Sequence, residues 1–112
     1  MDLKALIQLG RVEKEVNIGS FKIKIHTLTV ADQQKALLSI SEEIKDDSAK
    51  LLQMQKAILV YATDSINGEV VEKDKLQEVY NELQPAVLSN LFSNYLELVD
   101  AQSKILDELK KK

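Results

Sequence analysis

A single histidine, His26, an acidic run from Glu42-Glu43 to Asp46-Asp47, and lysines at 22, 24 and 110–112 are the side chains of this 112-residue chain best suited to chemistry. A histidine beside a carboxylate is the usual general base. In this sequence His26 falls opposite Glu13 on the polar side of an alternating segment, which predicts a solvated cross-strand pair. Clustered carboxylates can hold a divalent cation, but an EF-hand loop needs aspartate first and glycine sixth, and counting back from Gly68 puts Thr63 first. The acids are expected to be a solvated face and helix caps. Lys22 and Lys24 with Lys110, Lys111 and Lys112 could contact phosphates. Lys24 has a cross-strand acid, the terminal lysines complement a helix C-terminus, and five aromatic residues leave little for base stacking. With no cysteine, thiol catalysis, zinc–thiolate sites and disulfides are excluded. No GxSxG, glycine-rich phosphate loop, GxGxxG or HExxH motif occurs. The expectation is therefore no catalytic, cofactor-binding or metal-binding residue, and no nucleic-acid partner.

Composition agrees with a folded chain, since 45% of residues are apolar, 29% are charged, and 15 basic residues nearly balance 18 acidic ones. One domain is expected over residues 1–112, with a first part at 1–28 and a helical part at 29–112. No apolar run approaches the ~20 residues of a membrane helix. The opening MDLKALIQLG lacks the apolar stretch of a signal peptide. A soluble, cytoplasmic protein without a membrane partner is the reading.

The elements that position these side chains follow from periodicity. Leu3, Leu6 and Ile7 form a helical stripe over residues 2–9, closed by Gly10. Residues 11–18 and 21–28 alternate and flank Gly19-Ser20, a pair suited to a type II′ turn. That loop sets Ile18 against Phe21, Val16 against Ile23 and Val12 against Thr27 on a buried face with Ile25. Lys14 is the misfit there and is expected at a solvated edge. Glu15–Lys24 and Glu13–His26 pair on the other face. After Thr29, an N-cap, the period becomes 3.6. Val30, Gln34, Leu37, Leu38, Ile40 and Ile44 predict a helix to about residue 45. A second helix over 49–65, capped by Asp47 or Ser48, carries Leu51, Leu52, Ile58, Leu59, Ala62 and Ile66 inward. Asn67-Gly68 is a turn before an extended 69–71, and a helix over 73–83 buries Leu76, Val79, Tyr80 and Leu83. The fold class is α+β and mostly α, about two-thirds helical: a β-hairpin packed on a bundle of about four helices. The buried set is expected to include Val16, Ile18, Phe21, Ile23, Ile25, Leu37, Leu38, Leu51, Ile58, Leu59, Leu91, Phe92 and Tyr95.

Pro85 fits the first turn of a last helix that nothing interrupts to about residue 110. Its apolar positions repeat in sevens: Leu88, Tyr95, Gln102 and Leu109 on one line, flanked by Leu91/Phe92, Leu98/Val99 and Ile105/Leu106. The far part of this stripe, Val99, Gln102, Ile105, Leu106 and Leu109, is either core of its own domain or a contact surface for a second copy or another protein. Helix length alone does not decide between them.

The order of these segments resembles the small tail-assembly proteins of long-tailed bacteriophages, including tail-assembly chaperones and small baseplate or tail-completion components. A hairpin strand, FKIKIHTLT at 21–29, runs straight into a helix. A later helix ends in SINGEVV at 65–71, and LQPAVLSNLFSNYLELVDAQ follows at 83–102. The likeness spans about residues 12–105 and carries over no reactive residue; the first helix and the uninterrupted last helix depart from it. It implies a non-enzymatic protein of the host cytoplasm that binds tape-measure, tube or baseplate proteins as a chaperone. The alternatives it leaves are a structural part of the virion tail or baseplate, and a generic bacterial helical adaptor.

Overall fold

A computed structural model describes residues 1–111 and is α+β, 59% helical, with five helices and a three-stranded antiparallel sheet. The lysine at 112, read from sequence as part of a cationic helix end, lies outside the described residues. Chain order is α1 (Leu3–Gln8), β1 (Glu13–Ile18), β2 (Phe21–His26), α2 (Val30–Leu38), α3 (Asp47–Ala62), β3 (Thr63–Ile66), α4 (Lys73–Asn81) and α5 (Pro85–Lys110).

The hairpin forms in the expected register, with Ile18 facing Phe21, Val16 facing Ile23 and Glu13 facing His26. Gly19 has φ +58° and Ser20 does not enter the left-handed region, the pattern of a type II′ turn. β3, read from sequence as the end of a helix, instead pairs with β2 and gives the order β1-β2-β3. Ile58, Ala62 and Ile66 fall at helical spacing, which favours continuing the helix. The deciding signal lies just beyond. Asn67 and Gly68 both adopt positive φ, 52° and 81°, a type I′ turn whose flanks must be extended. Ile66 accordingly bridges Glu69 across that turn.

The core lies between the sheet and one side each of α3, α4 and α5. Ile25, Leu59, Leu76 and Leu91 are completely buried, with Val16, Ile23, Val60, Tyr80, Leu88, Tyr95 and Leu98 around them. Burying such a side chain contributes about 1.5–3 kcal/mol. Phe92, Ile18 and Ile58 are half-buried at the rim, and Phe92 stacks on Tyr95 with ring centroids 5.9 Å apart.

Four expected core residues are on the surface. Leu38 is 85% exposed, Phe21 is 54% exposed, and Leu37 and Leu51 are exposed as well. Leu52 and Val79, assigned to inward faces, are also exposed, while Leu83 is half-buried. For α2 the cause is its early end. The helix stops at Leu38, not near residue 45, and only Ala36 is buried. The Ser39 hydroxyl donates to the Ala36 carbonyl at 2.7 Å, and the Glu43 amide donates to the Ser41 hydroxyl at 3.3 Å. Serines that satisfy backbone groups locally compete with the helix, and no core face is present to hold it. α3 then begins two residues earlier than expected, capped by Asp46, whose carboxylate accepts from the Ala49 amide at 2.9 Å.

α5 spans 26 residues, about 39 Å at 1.5 Å per residue. The molecule measures 44 × 34 × 23 Å with a radius of gyration of 15.0 Å. A compact chain of this length has about 13 Å, so the ends project beyond the core. No described helix is long and apolar enough to cross a membrane.

Candidate functional site

Two regions gather functional side chains: a polar cluster at the open end of the hairpin and the far end of α5. The polar cluster is organised by an irregularity in the sheet. β2 pairs with β3 through Lys24–Ser65 and Ile25–Thr63, so Asp64 is an unpaired bulge residue whose side chain is re-aimed along the sheet. Its carboxylate meets His26 Nε2 at 3.3 Å and Arg11 Nη2 at 3.5 Å. His26 Nδ1 lies 2.7 Å from the Thr27 carbonyl and 3.3 Å from Arg11 Nη1.

This corrects the expected solvated Glu13–His26 pair. Those residues do face each other in the ladder, but His26 is buried in the sheet and the carboxylate it meets is that of Asp64. Glu13 instead takes Lys24 at 3.2 Å and Arg11 at 3.3 Å. Lys24, and to a lesser degree Arg11, hold its carboxyl below the usual range. The expected Glu15–Lys24 ion pair is thus replaced by a diagonal one. Chemically, the cluster ties β1, β2 and β3 together at one end; both imidazole nitrogens are engaged and none faces an open cleft.

Lys14 also departs from expectation. It sits on the inner face, half-buried, and its ammonium donates to Asn94 Oδ1 at 2.7 Å and Glu97 Oε2 at 2.6 Å on α5. It works as a polar tie between sheet and helix, where a solvated edge was expected.

A third polar tie serves the end of α3. Lys73 Nζ donates to the carbonyls of Val60 at 3.0 Å and Thr63 at 3.1 Å, and lies 5.9 Å over the Tyr61 ring. These oxygens belong to a helix end that carries no basic residue of its own. Burial lowers the Lys73 pKa, opposed by Asp32 and Asp64. Beneath it, the Thr63 hydroxyl donates to the Leu59 carbonyl at 2.7 Å, which leaves the Tyr80 hydroxyl as the donor to Thr63, also at 2.7 Å. Burial raises the Tyr80 phenol above its ordinary value.

The five α5 residues singled out by the heptad pattern divide along the helix. Val99 is half-buried and packs against the core. Gln102 is half-buried, and its amide donates to the Gly10 carbonyl at 3.0 Å, tying α5 to the approach of β1. Gly10 adopts φ +82°, and a Cβ there would lie 3.5 Å from Leu106. Ile105, Leu106 and Leu109 are 41%, 39% and 39% exposed. They form a continuous apolar edge about two to three turns past the last buried residue, Leu98. Two features of the site lie outside sequence reach, Asp64 and Lys73. Nothing in a local pattern marks a bulge residue, or a lysine that caps a helix other than its own.

Among the described residues, no group of three histidine or acidic side chains converges as a metal site. Glu42, Glu43, Asp46 and Asp47 are exposed; Asp46 caps α3 and Asp47 lies in its first turn. Lys22 and Lys24 are separated by one residue on β2, and Lys110 and Lys111 end α5. Comparison with protein families, curated proteins and solved structures finds no match in any of the three.

Proposed function

We propose that this chain is a non-enzymatic factor of bacteriophage tail morphogenesis that binds other tail proteins (tape measure, tube or baseplate) in the host cytoplasm, as a tail-assembly chaperone. The observation that carries the reading is the unburied apolar edge of Ile105, Leu106 and Leu109, on a helix that outruns its own core. Val99 and Gln102 anchor the inner end of that edge in the domain. An exposed stripe on a rigid helix fits a groove or a facing helix on an unassembled partner. The segment order likened above to tail-assembly proteins supplies the phage context. The non-enzymatic part is supported by the polar cluster, whose histidine is buried and engaged at both nitrogens.

The test co-expresses the chain with tape-measure, tube and baseplate proteins of long-tailed bacteriophages. Wild type is expected to co-purify with one of them and keep it in solution. Ile105→Lys with Leu109→Lys should abolish co-purification while circular dichroism stays unchanged. Retention of the partner by the double variant would overturn the assignment of the site. Failure to retain any tail protein would overturn the function. Detection in purified virions would favour the structural-component reading over a chaperone.

A further inference from the structure

His26 is the chain's one histidine, and its two ring nitrogens meet two acceptors. Nδ1 lies 2.7 Å from the Thr27 carbonyl oxygen, and Nε2 lies 3.3 Å from Asp64 Oδ1. A carbonyl and an ionised carboxylate accept hydrogen bonds and donate none, whereas a neutral imidazole carries a single N–H. Both contacts are made at once only by the doubly protonated ring. The ring is buried, so a bare nitrogen facing an oxygen has little water to turn to.

The two acceptors differ in their freedom to move. Thr27 is buried and fixed: its amide donates to the Val12 carbonyl at 3.0 Å, and its hydroxyl accepts from the Val12 amide at 3.1 Å. Asp64 is the unpaired residue of the β3 bulge, its side chain is one-third exposed, and Arg11 Nη2 is within reach at 3.5 Å. The charges around the ring come from several elements. Glu13 faces His26 across the ladder and is held by Lys24 and Arg11. Arg11 Nη1, 3.3 Å from Nδ1, repels an imidazolium, and Asp64 attracts it. Lys73 of α4, over the Tyr61 ring of α3, and Asp32 of α2 add one charge of each sign. From α5 comes the uncharged Tyr95 phenol beside Leu28, while Glu97 pairs with Lys14 on the other face of the sheet. Glu13, Asp64 and Asp32 thus stand against Arg11, Lys24 and Lys73, and the second imidazole proton is the variable charge of the cluster.

We propose that His26 is a proton-operated clasp between the end of β2 and β3. As the imidazolium it donates to the Thr27 carbonyl through Nδ1 and to Asp64 through Nε2. When the Nε2 proton passes to water, the ring keeps the fixed Thr27 contact as the Nδ1–H tautomer. The bare Nε2 then faces the Asp64 carboxylate, lone pair against oxygen, and the exposed side chain swings to Arg11. Glu13 keeps Lys24 as its partner. The change reaches the first segment of the chain, because Arg11 and Thr27 line a cavity of about 370 Å³ together with Ile7 and Leu9. Proton loss at the end of β2 therefore alters how the stretch between α1 and β1 is held.

NMR spectroscopy of the full chain across about pH 5–8, the range in which histidine changes charge, tests this. With one histidine, the imidazole nitrogen signals are unambiguous. The neutral ring is expected as the Nδ1–H tautomer, the reverse of the preference of a free histidine side chain. The Asp64 carboxyl carbon and Arg11 Nε should shift with the same midpoint as the ring. His26→Gln should abolish both shifts over this range. Asp64→Asn should keep the tautomer and abolish the Arg11 shift, because an amide can donate to the bare Nε2 and stay in place. A neutral ring in the Nε2–H form would overturn the proposal, since that ring holds Asp64 and accepts from Arg11 instead. A ring that keeps one charge state throughout would overturn it too, as would an Arg11 shift that survives in His26→Gln. The tautomer is read on wild type, so the decisive result does not depend on any variant folding.

Discussion

The two halves of α5 are one uninterrupted helix with the same heptad pattern, yet they meet different surroundings. From Pro85 to Leu98, the stripe of Leu88, Leu91, Tyr95 and Leu98 is closed over by β1, β2 and α3. From Ala101 to Lys111 no residue is buried, although Ile105, Leu106 and Leu109 continue the repeat. Sequence periodicity therefore reports which face of a helix is apolar, and the reach of the other elements decides how much of that face becomes core. The sheet ends where Gly10 and Arg11 begin. At Gln102 the stripe meets the Gly10 backbone and a cavity lined by Ile7, Gln8 and Leu9.

The largest expected effect breaks this contrast at the buried half. Leu91→Ala removes a completely buried side chain between sheet and helices. It should cost about 2–5 kcal/mol, much of the stability of a domain this size. Leu106→Ala, on the same helix, should cost about 1 kcal/mol or less, because its exposed portion contributes nothing and its neighbours can relax. Phe92→Ala belongs between them: half-buried and stacked on Tyr95, it should lose about 2 kcal/mol, less than a fully buried phenylalanine. Urea denaturation of the three variants orders them. Equal losses at Leu91 and Leu106 would mean that the far half of α5 is core after all.

Next in size is Lys73. Its replacement by methionine keeps the alkyl packing but strands the carbonyls of Val60 and Thr63 at the end of α3. The expected loss is about 1–2 kcal/mol, since hydrogen bonds from a charged donor exceed the neutral average. Lys73→Arg should restore part of it. A Lys73→Met variant as stable as wild type would show that water replaces the ammonium at that helix end.

The same region gives a pH profile with two opposing slopes. Burial lowers the pKa of Lys73 from its ordinary 10.5, so the unfolded chain holds that proton longer and stability rises with pH below about 10.5. Burial raises the phenols of Tyr80 and Tyr95 above 10.0, so there the folded chain holds the protons longer and stability falls as pH rises above about 10. Thermal melts between pH 8 and pH 11 (about the span of both slopes) should show a shallow rise followed by a fall. Tyr80→Phe with Tyr95→Phe should flatten the fall, and Lys73→Met the rise. An unchanged alkaline slope in the double phenylalanine variant would assign it to other groups.

What was legible in the sequence follows the same division between local pattern and tertiary reach. The hairpin register, its II′ turn, the Asn67-Gly68 turn, and α4 and α5 with Pro85 at the start all rest on signals a few residues long. The failures share one cause, which is that a neighbour out of sequence decides. β3 exists because β2 offers it an edge and the turn after it requires an extended flank, against a helical spacing that runs through Ile66. Leu37, Leu38, Leu51 and Leu52 look like core by period but line the α2–α3 side that no other element covers. His26 changes from a solvated strand residue to a buried one among Arg11, Thr27 and the Asp64 that β3 brings to it. For the candidate surface, the heptad repeat put Ile105, Leu106 and Leu109 on one edge of α5, and the fold leaves that edge exposed. The repeat could not show that Gln102 is held by Gly10, because a backbone carbonyl 92 positions away leaves no trace in a local pattern.

The smallest expected effect sharpens the comparison at the seam between the two halves of α5. Lys14 reaches Asn94 and Glu97 there, from the inner face of β1. Its side chain is one-third exposed and that of Glu97 two-thirds exposed, so solvent screens the ion pair. Glu97→Gln should therefore cost no more than about 1 kcal/mol, and half-molar salt should shrink even that. Lys14→Met is expected to be close to neutral: it loses the pair but places an apolar side chain opposite Ile25, on the face that buries Val16 and Ile23. Comparing these variants in a double-mutant cycle isolates the coupling from the packing gain. A coupling above about 2 kcal/mol, beyond what an exposed pair supplies, would make Lys14 the clasp that fixes the first half of α5 to the sheet. A coupling near zero would leave that task to Leu91 and Leu98.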